Sequence, residues 1–251
     1  MKQQIKISHL VTNGCSYTYC QGLDHPEKEG WPKLLADKLG VKVVNLAVMG
    51  SSNPSIHRRT YEYAIENLKT NSFPLFVIGW THHWRQEYYD NSLPGYRGIA
   101  YPIETTNLNV EQEYILHTWN KNEHFRRTLI NQSSIKALFN SLNIPYLMSD
   151  FSNDTGPIKE TTKNKYSFMI NYIHDKFYLS PTFHDITCNR PKLPCQHHTK
   201  DTQHVLANIT YNKLTELFDI SIDNSLPYLK LNQLNDSETE NYSFSCWNEN
   251  E

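Results

Sequence analysis

The sequence predicts a three-layer α/β/α domain built round a mostly parallel sheet. Residues 75–80 are apolar on both faces and residues 41–48 are rich in valine, the pattern of strands buried on both faces. Amphipathic helical segments separate these runs, so both faces of the sheet can be covered. Parallel strands joined by helices require right-handed crossovers.

The elements follow in order. Ile5, Ile7, Leu10 and Val11 mark a first strand that ends over residues 9–12 and turns at Asn13 and Gly14. Residues 31–39 read as a helix, with Pro32 tolerated in its first turn and Gly40 as its stop. Residues 41–48 are valine-rich and read as a buried second strand. Gly50-Ser51-Ser52-Asn53-Pro54 then forms a loop entering a helix, with Asn53 as N-cap and Pro54 at the first position. Tyr61, Ala64, Ile65 and Leu68 share one face of that helix. Residues 75–80 give the third strand. Ile135, Leu138, Phe139 and Leu142 mark a third helix, followed by a strand over 144–148. Val205, Leu206, Ile209 and Leu214 mark a late helix. Two stretches interrupt the alternation. One is 82–108, rich in Tyr, Asn, Pro and Gly; the other is 151–194, with a helix near Phe168, Met169, Tyr172 and Ile173. Long loops at strand ends usually carry substrate contacts. The expected organisation is one domain over 1–231 with these two insertions, then a polar, acidic tail over 232–251.

A chain of 251 residues and 29.4 kDa fits one large domain. Its net charge of -2 and pI near 6.6 lack the basic footprint of a nucleic-acid binder. No apolar stretch approaches the ~20 residues of a membrane helix. The N-terminus has lysines but no apolar core of a secretory signal, so a cytoplasmic location is expected and a membrane partner is not. Five cysteines, Cys15, Cys20, Cys188, Cys195 and Cys246, are an odd count that does not suggest a disulfide framework.

Two segments carry chemistry. Ser16 follows a strand and a glycine-bearing turn, which puts it at the carboxyl edge of the sheet, where ligands of open α/β folds bind. A nucleophilic serine needs that exposure and a nearby backbone N–H for the oxyanion. Taken alone, such a serine more often caps a helix or closes a turn. His198 lies just before the last helix, from where it can reach across the sheet edge and take the serine proton. A lone histidine there could equally be solvated or capping. Arg85 and Glu87, past the third strand, read as an ion pair holding the loop; the alternative is that Arg85 binds an anionic group of a substrate. Trp84, Tyr88, Tyr89, Tyr96 and Tyr101 crowd the same loop. Their faces suit sugar rings and ordinary packing alike.

The combination resembles a known family. Gly14-Cys15-Ser16-Tyr17-Thr18 is similar to the Gly-Asp-Ser block that opens the SGNH, or GDSL-like, hydrolases, in its Gly-Cys-Ser-Phe/Tyr-Thr form. Residues 31–36, Asn45-Leu46-Ala47 and Gly50-Ser51-Ser52-Asn53 look like the second block. His198 and His204 match the spacing of the two histidines in the last block, with Thr199 for its proline and Gln203 for its glycine. The resemblance implies a flavodoxin-like sheet and a serine esterase without a cofactor, acting on a small-molecule or carbohydrate ester. Ser16 would be the nucleophile and His198 the general base. Ser16, Gly50 and Thr81 would form the oxyanion hole, and Asn53, Trp80, His82 and Arg85 would meet the substrate. Asn53 or His82 could also stand in as an oxyanion donor.

The departures are specific. Thr81, in Gly79-Trp80-Thr81-His82, replaces the third block's asparagine; its hydroxyl can still donate one hydrogen bond. Cys195 stands where the family has Asp, three residues before the histidine. His198 would then use a backbone carbonyl as a Ser/His dyad, or Asp185 or Asp150 would serve as the acid, or the site would be degenerate. His197 competes for the base role, and spacing favours His198. Two rivals differ in class. His184, Cys188, Cys195, His197, His198 and His204 are all residue types that bind zinc, although their spacings match no common paired-ligand pattern. The other rival is a non-catalytic binding module on the same fold.

Overall fold

The computed structural model describes residues 2–90, 95–99, 120–152, 160–223 and 225, the side chains of 88–90, 95–99, 121 and 160 excepted. The tail over 232–251, Cys246 and Tyr101 lie outside these residues, as do the side chains of Tyr88, Tyr89 and Tyr96.

Four strands form the central sheet, in the order β3 (Lys42–Asn45), β2 (His9–Asn13), β4 (Pro74–Trp80) and β7 (Tyr146–Asp150), all parallel. A parallel bridge between Met148 and Tyr178 adds a rudimentary fifth position beyond β7. β2 and β4 are buried along their whole length, as apolar runs without alternation predict. Their side chains nonetheless divide by residue parity. Leu10, Leu75, Val77 and Leu147 face one core, shared with Trp31 and Leu35 of α3 (Trp31–Leu39), Phe183 of α8 (Phe183–Thr187) and Leu206 and Leu214 of α9 (Lys200–Leu217). Val11, Val44, Phe76, Ile78 and Met148 face the other. There they meet Ile56 and Tyr63 of α4 (Asn53–Asn67) and Ile135 and Phe139 of α5 (Lys121–Leu142). Each such large side chain contributes about 2 kcal/mol by leaving water. The three-layer α/β/α architecture with a parallel sheet is therefore as the sequence predicts.

Three local expectations change. The first strand divides at Ser8, whose backbone and hydroxyl both bond to Phe73. The part before it, β1 (Gln3–Ile7), pairs in parallel with β8 (Phe218–Ile222), an element without a clear sequence signal. At α4 the N-cap is Ser52, whose side chain accepts from Ser55 N–H; Asn53 begins the helix and Pro54 follows it. The buried face of α4 is Asn53, Ile56, Thr60, Tyr63, Ala64 and Asn67, leaving Tyr61 and Leu68 exposed. Polar residues on that face bond to the sheet ends, which a count of apolar positions misses. Within the 82–108 stretch, β5 (Gln86–Asp90) and β6 (Gly95–Ile99) pair antiparallel. The 151–194 stretch holds α6 (Glu160–Lys165), α7 (Ser167–Ile173) and α8. Two short helices near the N-terminus, α1 (Ser16–Tyr19) and α2 (Pro26–Glu29), complete the elements used below. Among the described residues no helix is long and apolar enough to cross a membrane.

Candidate active site

The turn from β2 into α1 is fixed by its own residues. Asn13 Oδ1 accepts from Gly14 N–H at 2.8 Å, while Asn13 Nδ2 donates to Ile56 O at 2.9 Å and Thr60 Oγ1 at 2.8 Å. One side chain thus ties the strand end, the turn and α4 together. Gly14 is required by crowding: a Cβ there would lie 2.2 Å from Thr18 Oγ1 and 2.9 Å from Gly79 O. A Cβ on Gly79 would in turn meet the Phe151 ring at 2.4 Å. The two glycines let α1 press directly on β4. Ser16 becomes the first residue of α1, almost wholly buried, and its N–H and hydroxyl have no hydrogen-bond partner among the described residues.

The other oxyanion candidates end the neighbouring strands. Gly50, after β3, has φ +75°, a left-handed conformation that glycine adopts without strain, and its N–H has no acceptor among the described residues. Thr81, directly after β4, has a buried hydroxyl without a hydrogen bond, while its N–H donates to Asn53 Oδ1 at 2.9 Å. Ser16, Gly50 and Thr81 therefore stand at the carboxyl ends of three adjacent strands. Two residues expected to meet the substrate do other work. Asn53 Nδ2 donates to Thr81 O at 3.0 Å and Thr128 Oγ1 at 3.1 Å, so its amide is committed to joining α4, β4 and α5. Trp80 is fully buried in the core beneath the sheet edge. His82 packs against Trp84 with ring centroids 4.6 Å apart and the planes tilted by 30°.

The histidine loop is a tight turn before α9. Leu193 N–H donates to His197 O and Gln196 N–H to Leu193 O, both at 2.8 Å, with Gln196 left-handed at φ +62°. The loop rests on Gly22, where a Cβ would lie 2.6 Å from Cys195 Sγ. His198 is buried and stacks on Tyr17, centroids 4.7 Å apart and planes within 23°. His197 also approaches Tyr17, at 5.3 Å. Tyr17 itself stacks on Phe151 at 5.4 Å. Sequence reasoning passed over Tyr17, though its place next to Ser16 is the signal that could have found it. Gln203 supports the loop from α9. Its Nε2 donates to His198 O at 3.4 Å, and its Oε1 accepts from Trp31 N–H and from the Cys20 thiol. This is a physical use for glutamine at the position where the resemblance has glycine. His204 lies exposed on α9.

Burial pushes the His198 imidazole down to about 4, and Lys192, His197 and His184 press the same way. No carboxylate acts on it. Asp185 is the N3 residue of a capping box with Thr182, and Asp150 accepts from Gln132 at 3.2 Å. Neither replaces the acid that Cys195 displaces, and Cys195 is exposed. Neither ring nitrogen of His198 hydrogen-bonds to any atom of the described residues, Ser16 Oγ included. The expected Arg85–Glu87 pair is also absent: Glu87 bonds to Arg58 at 3.4 Å, while Arg85 Nε and Nη1 are buried without an acceptor among the described residues. Among the described residues no three His, Cys, Asp or Glu side chains are grouped to hold a metal ion, so the zinc rival lacks a ligand cluster there.

No sequence-family description matches the chain, and no curated protein does. Solved structures do match in shape. The crystal structure of TesA covers 83% of this chain and 99% of its own at 16% identity, with a TM-score of 0.53. A carbohydrate esterase family 2 enzyme with a carbohydrate-binding domain, from Corynascus thermopiles (Myceliophthora fergusii), covers 86% and 67% at 12% identity, also with a TM-score of 0.53. At such identities the likeness is one of architecture. With its parallel sheet, helices on both faces and residue alternation, this chain has the α/β fold of the SGNH hydrolases.

Proposed function

We propose that the protein is a serine esterase that hydrolyses a carboxylic ester through a Ser16 acyl-enzyme, with His198 as general base. The observation that carries this reading is the convergence at one sheet edge. Ser16, Gly50 and Thr81 follow three adjacent strands, and His198 stacks on the residue next to Ser16. His198 takes the Ser16 proton as Oγ attacks the ester carbonyl. The unbonded N–H groups of Ser16 and Gly50, with the Thr81 hydroxyl, suit the developing oxyanion. His198 then protonates the leaving alcohol, and water releases the acyl group. Because His198 has no hydrogen bond to Ser16 in the free protein, the catalytic contact forms when substrate enters, as is common in unliganded sites. A carbohydrate O-acyl ester is the substrate class we favour, supported by the packed rings of His82 and Trp84 just past β4.

One observation favours a second reading. A histidine without a carboxylate is poorly oriented for catalysis, which suits a non-catalytic binding module on the same fold. Hydrolysis of a short-chain aryl acetate by the wild type and by Ser16→Ala separates the two. The esterase reading expects a loss of roughly 10³-fold or more in the folded variant. Equal rates in both proteins, or none in either, would favour binding.

A further inference from the structure

Arg85 carries an inference about what the site accepts. It lies just past β4, its N–H bonded to His82 O at 3.2 Å and its guanidinium packed 5.8 Å from the Trp84 ring. The carboxylate two residues on, Glu87, is nearly buried and already bonded to Arg58. Arg85 Nε and Nη1 are therefore shielded from solvent without an acceptor among the described residues. A guanidinium in that state is costly unless an acceptor reaches it. Its surroundings point to where that acceptor would come from. Arg85 acts electrostatically on both Tyr17 and His197, the two rings that flank His198. The cationic groups acting on these three rings are Arg85 and Lys192, and no Asp or Glu among the described residues acts on them. The His197 Nδ1 and both His198 ring nitrogens are likewise buried without a partner. Unpartnered hydrogen-bonding groups thus gather round Tyr17, within electrostatic reach of the Arg85 guanidinium, and no Asp or Glu among the described residues answers them.

We propose that Arg85, with Tyr17 and His197, forms an anion subsite beside the ester-cleaving pair, so that the substrate is an ester carrying a carboxylate or phosphate group. The planar fork of a guanidinium matches both anions through paired N–H donors. The assignment of a substrate rests on the esterase reading; the binding of an anion at Arg85 does not. Selectivity would enter mainly through KM, because the contact is made in the ground state as well as in the transition state.

The test uses two aryl esters of equal chain length, 4-nitrophenyl hemiglutarate with a free carboxylate and neutral 4-nitrophenyl valerate. The wild type is expected to prefer the charged ester by about tenfold or more in kcat/KM, a preference that weakens with salt. In Arg85→Met the ratio of the two should fall towards one, and Arg85→Lys should restore part of it. Titration calorimetry with glutarate and with inorganic phosphate, on the same three proteins, identifies which anion fits. A wild-type ratio near one, or a ratio unchanged in Arg85→Met, overturns the proposal. If neither ester is cleaved, the esterase reading fails and calorimetry decides alone. Anion binding lost in Arg85→Met sustains the subsite, and no binding to the wild type overturns it.

Discussion

The two halves of the site are held by different physics. On the nucleophile side, Asn13 uses its amide oxygen and nitrogen to lock the turn, and Gly14 and Gly79 leave no room for a side chain between α1 and β4. On the histidine side, the loop from Pro191 to Thr199 is largely exposed, and the His198 ring is held by stacking and burial alone. Hydrogen bonds and steric closure fix a direction; stacking fixes a plane and leaves rotation within it unspecified. Ser16 is thus placed tightly, whereas His198 is kept near it and left to be aimed by something else. Breaking each half should have a different signature.

The largest effect is expected on the tight side. In Gly14→Ala the new methyl would overlap Thr18 and the Gly79 carbonyl, and the backbone atom cannot rotate away. A loss of about 3 kcal/mol, at the upper end for overpacked cores, should appear in urea unfolding, together with loss of hydrolysis. Gly22→Ala makes the matching change under the histidine loop, where the left-handed φ of +90° and the Cys195 thiol oppose it. Because an exposed loop can shift, the stability loss there should be smaller than the loss of kcat. Equal stability losses in the two variants would remove the contrast.

The next effect sharpens the loose side. Cys195→Asp puts a carboxylate three residues before His198, where the resembling family has one. Carboxylate orientation of a catalytic histidine is worth up to about 10⁴ in rate in a serine hydrolase; from a loop position built for cysteine, a gain of about tenfold in kcat is the expectation. The acid limb of kcat/KM moves as well. With the imidazole held down to about 4, the unprotonated base persists far below the ordinary value of 6.5, so the wild-type limb should lie nearer 4 than 6.5. The added carboxylate should move it upward. A wild-type limb at 6.5 or above would mean that an unrecognised anion faces His198.

The same burial has a cost in acid. His9, bonded to Tyr63 Oη at 3.0 Å and deep in the core, is also held down to about 4. Both histidines are neutral when folded and take a proton more readily when unfolded. Stability is therefore fully present above pH 6.5 and falls as pH drops from 6.5 towards 4. At 1.36 kcal/mol per unit, each histidine accounts for roughly 3 kcal/mol over that window. Urea midpoints at pH 7 and pH 4.5 should differ accordingly, and His9→Gln should flatten the dependence by about half. A midpoint unchanged between the two would mean that these rings are protonated in the folded protein.

The same contrast explains what the sequence made legible. Strands buried on both faces favour unbroken apolar runs, and tight turns need particular residues, so β4, Gly14 and Ser16 could be read directly, and β2 only as part of a longer strand. The pairing of β1 with β8 could not, because residues 3–7 and 218–222 are half polar and their partnership depends on chain ends over 200 residues apart. Asn53 and Trp80 looked like site residues because they flank the right loops. The hydrogen bonds of Asn53 to Thr81 and Thr128, and the complete burial of Trp80, give both residues a structural use that the motif does not reveal. Tyr17 was hidden for the opposite reason: a stacking platform has no motif beyond its position. The fate of Glu87, taken by Arg58 rather than Arg85, is likewise a choice between equal charges that no local spacing encodes.

The smallest effect concerns a residue that links the two sides. Gln203 reaches from α9 to His198 O, to Trp31 N–H at the start of α3, and to Cys20 just after α1. Burial holds the Cys20 thiol up near 12, so it remains a neutral donor to Gln203 Oε1 throughout the working pH range. Gln203→Ala removes all three contacts and leaves the Trp31 N–H and the thiol without that acceptor. The expected loss of stability is about 2 kcal/mol, the scale of buried groups left unsatisfied. If Gln203 only braced the core, kcat would be untouched once the variant is folded. Because it also holds the backbone of His198, kcat should fall by a few-fold while KM for a neutral ester stays near its wild-type value. Gln203→Glu should separate the two roles. The carboxylate keeps an acceptor for Trp31 N–H and the thiol but removes the donor to His198 O, so core stability should recover more than kcat does. Equal recovery of both would assign Gln203 to the core alone and leave stacking on Tyr17 as the main hold on the histidine.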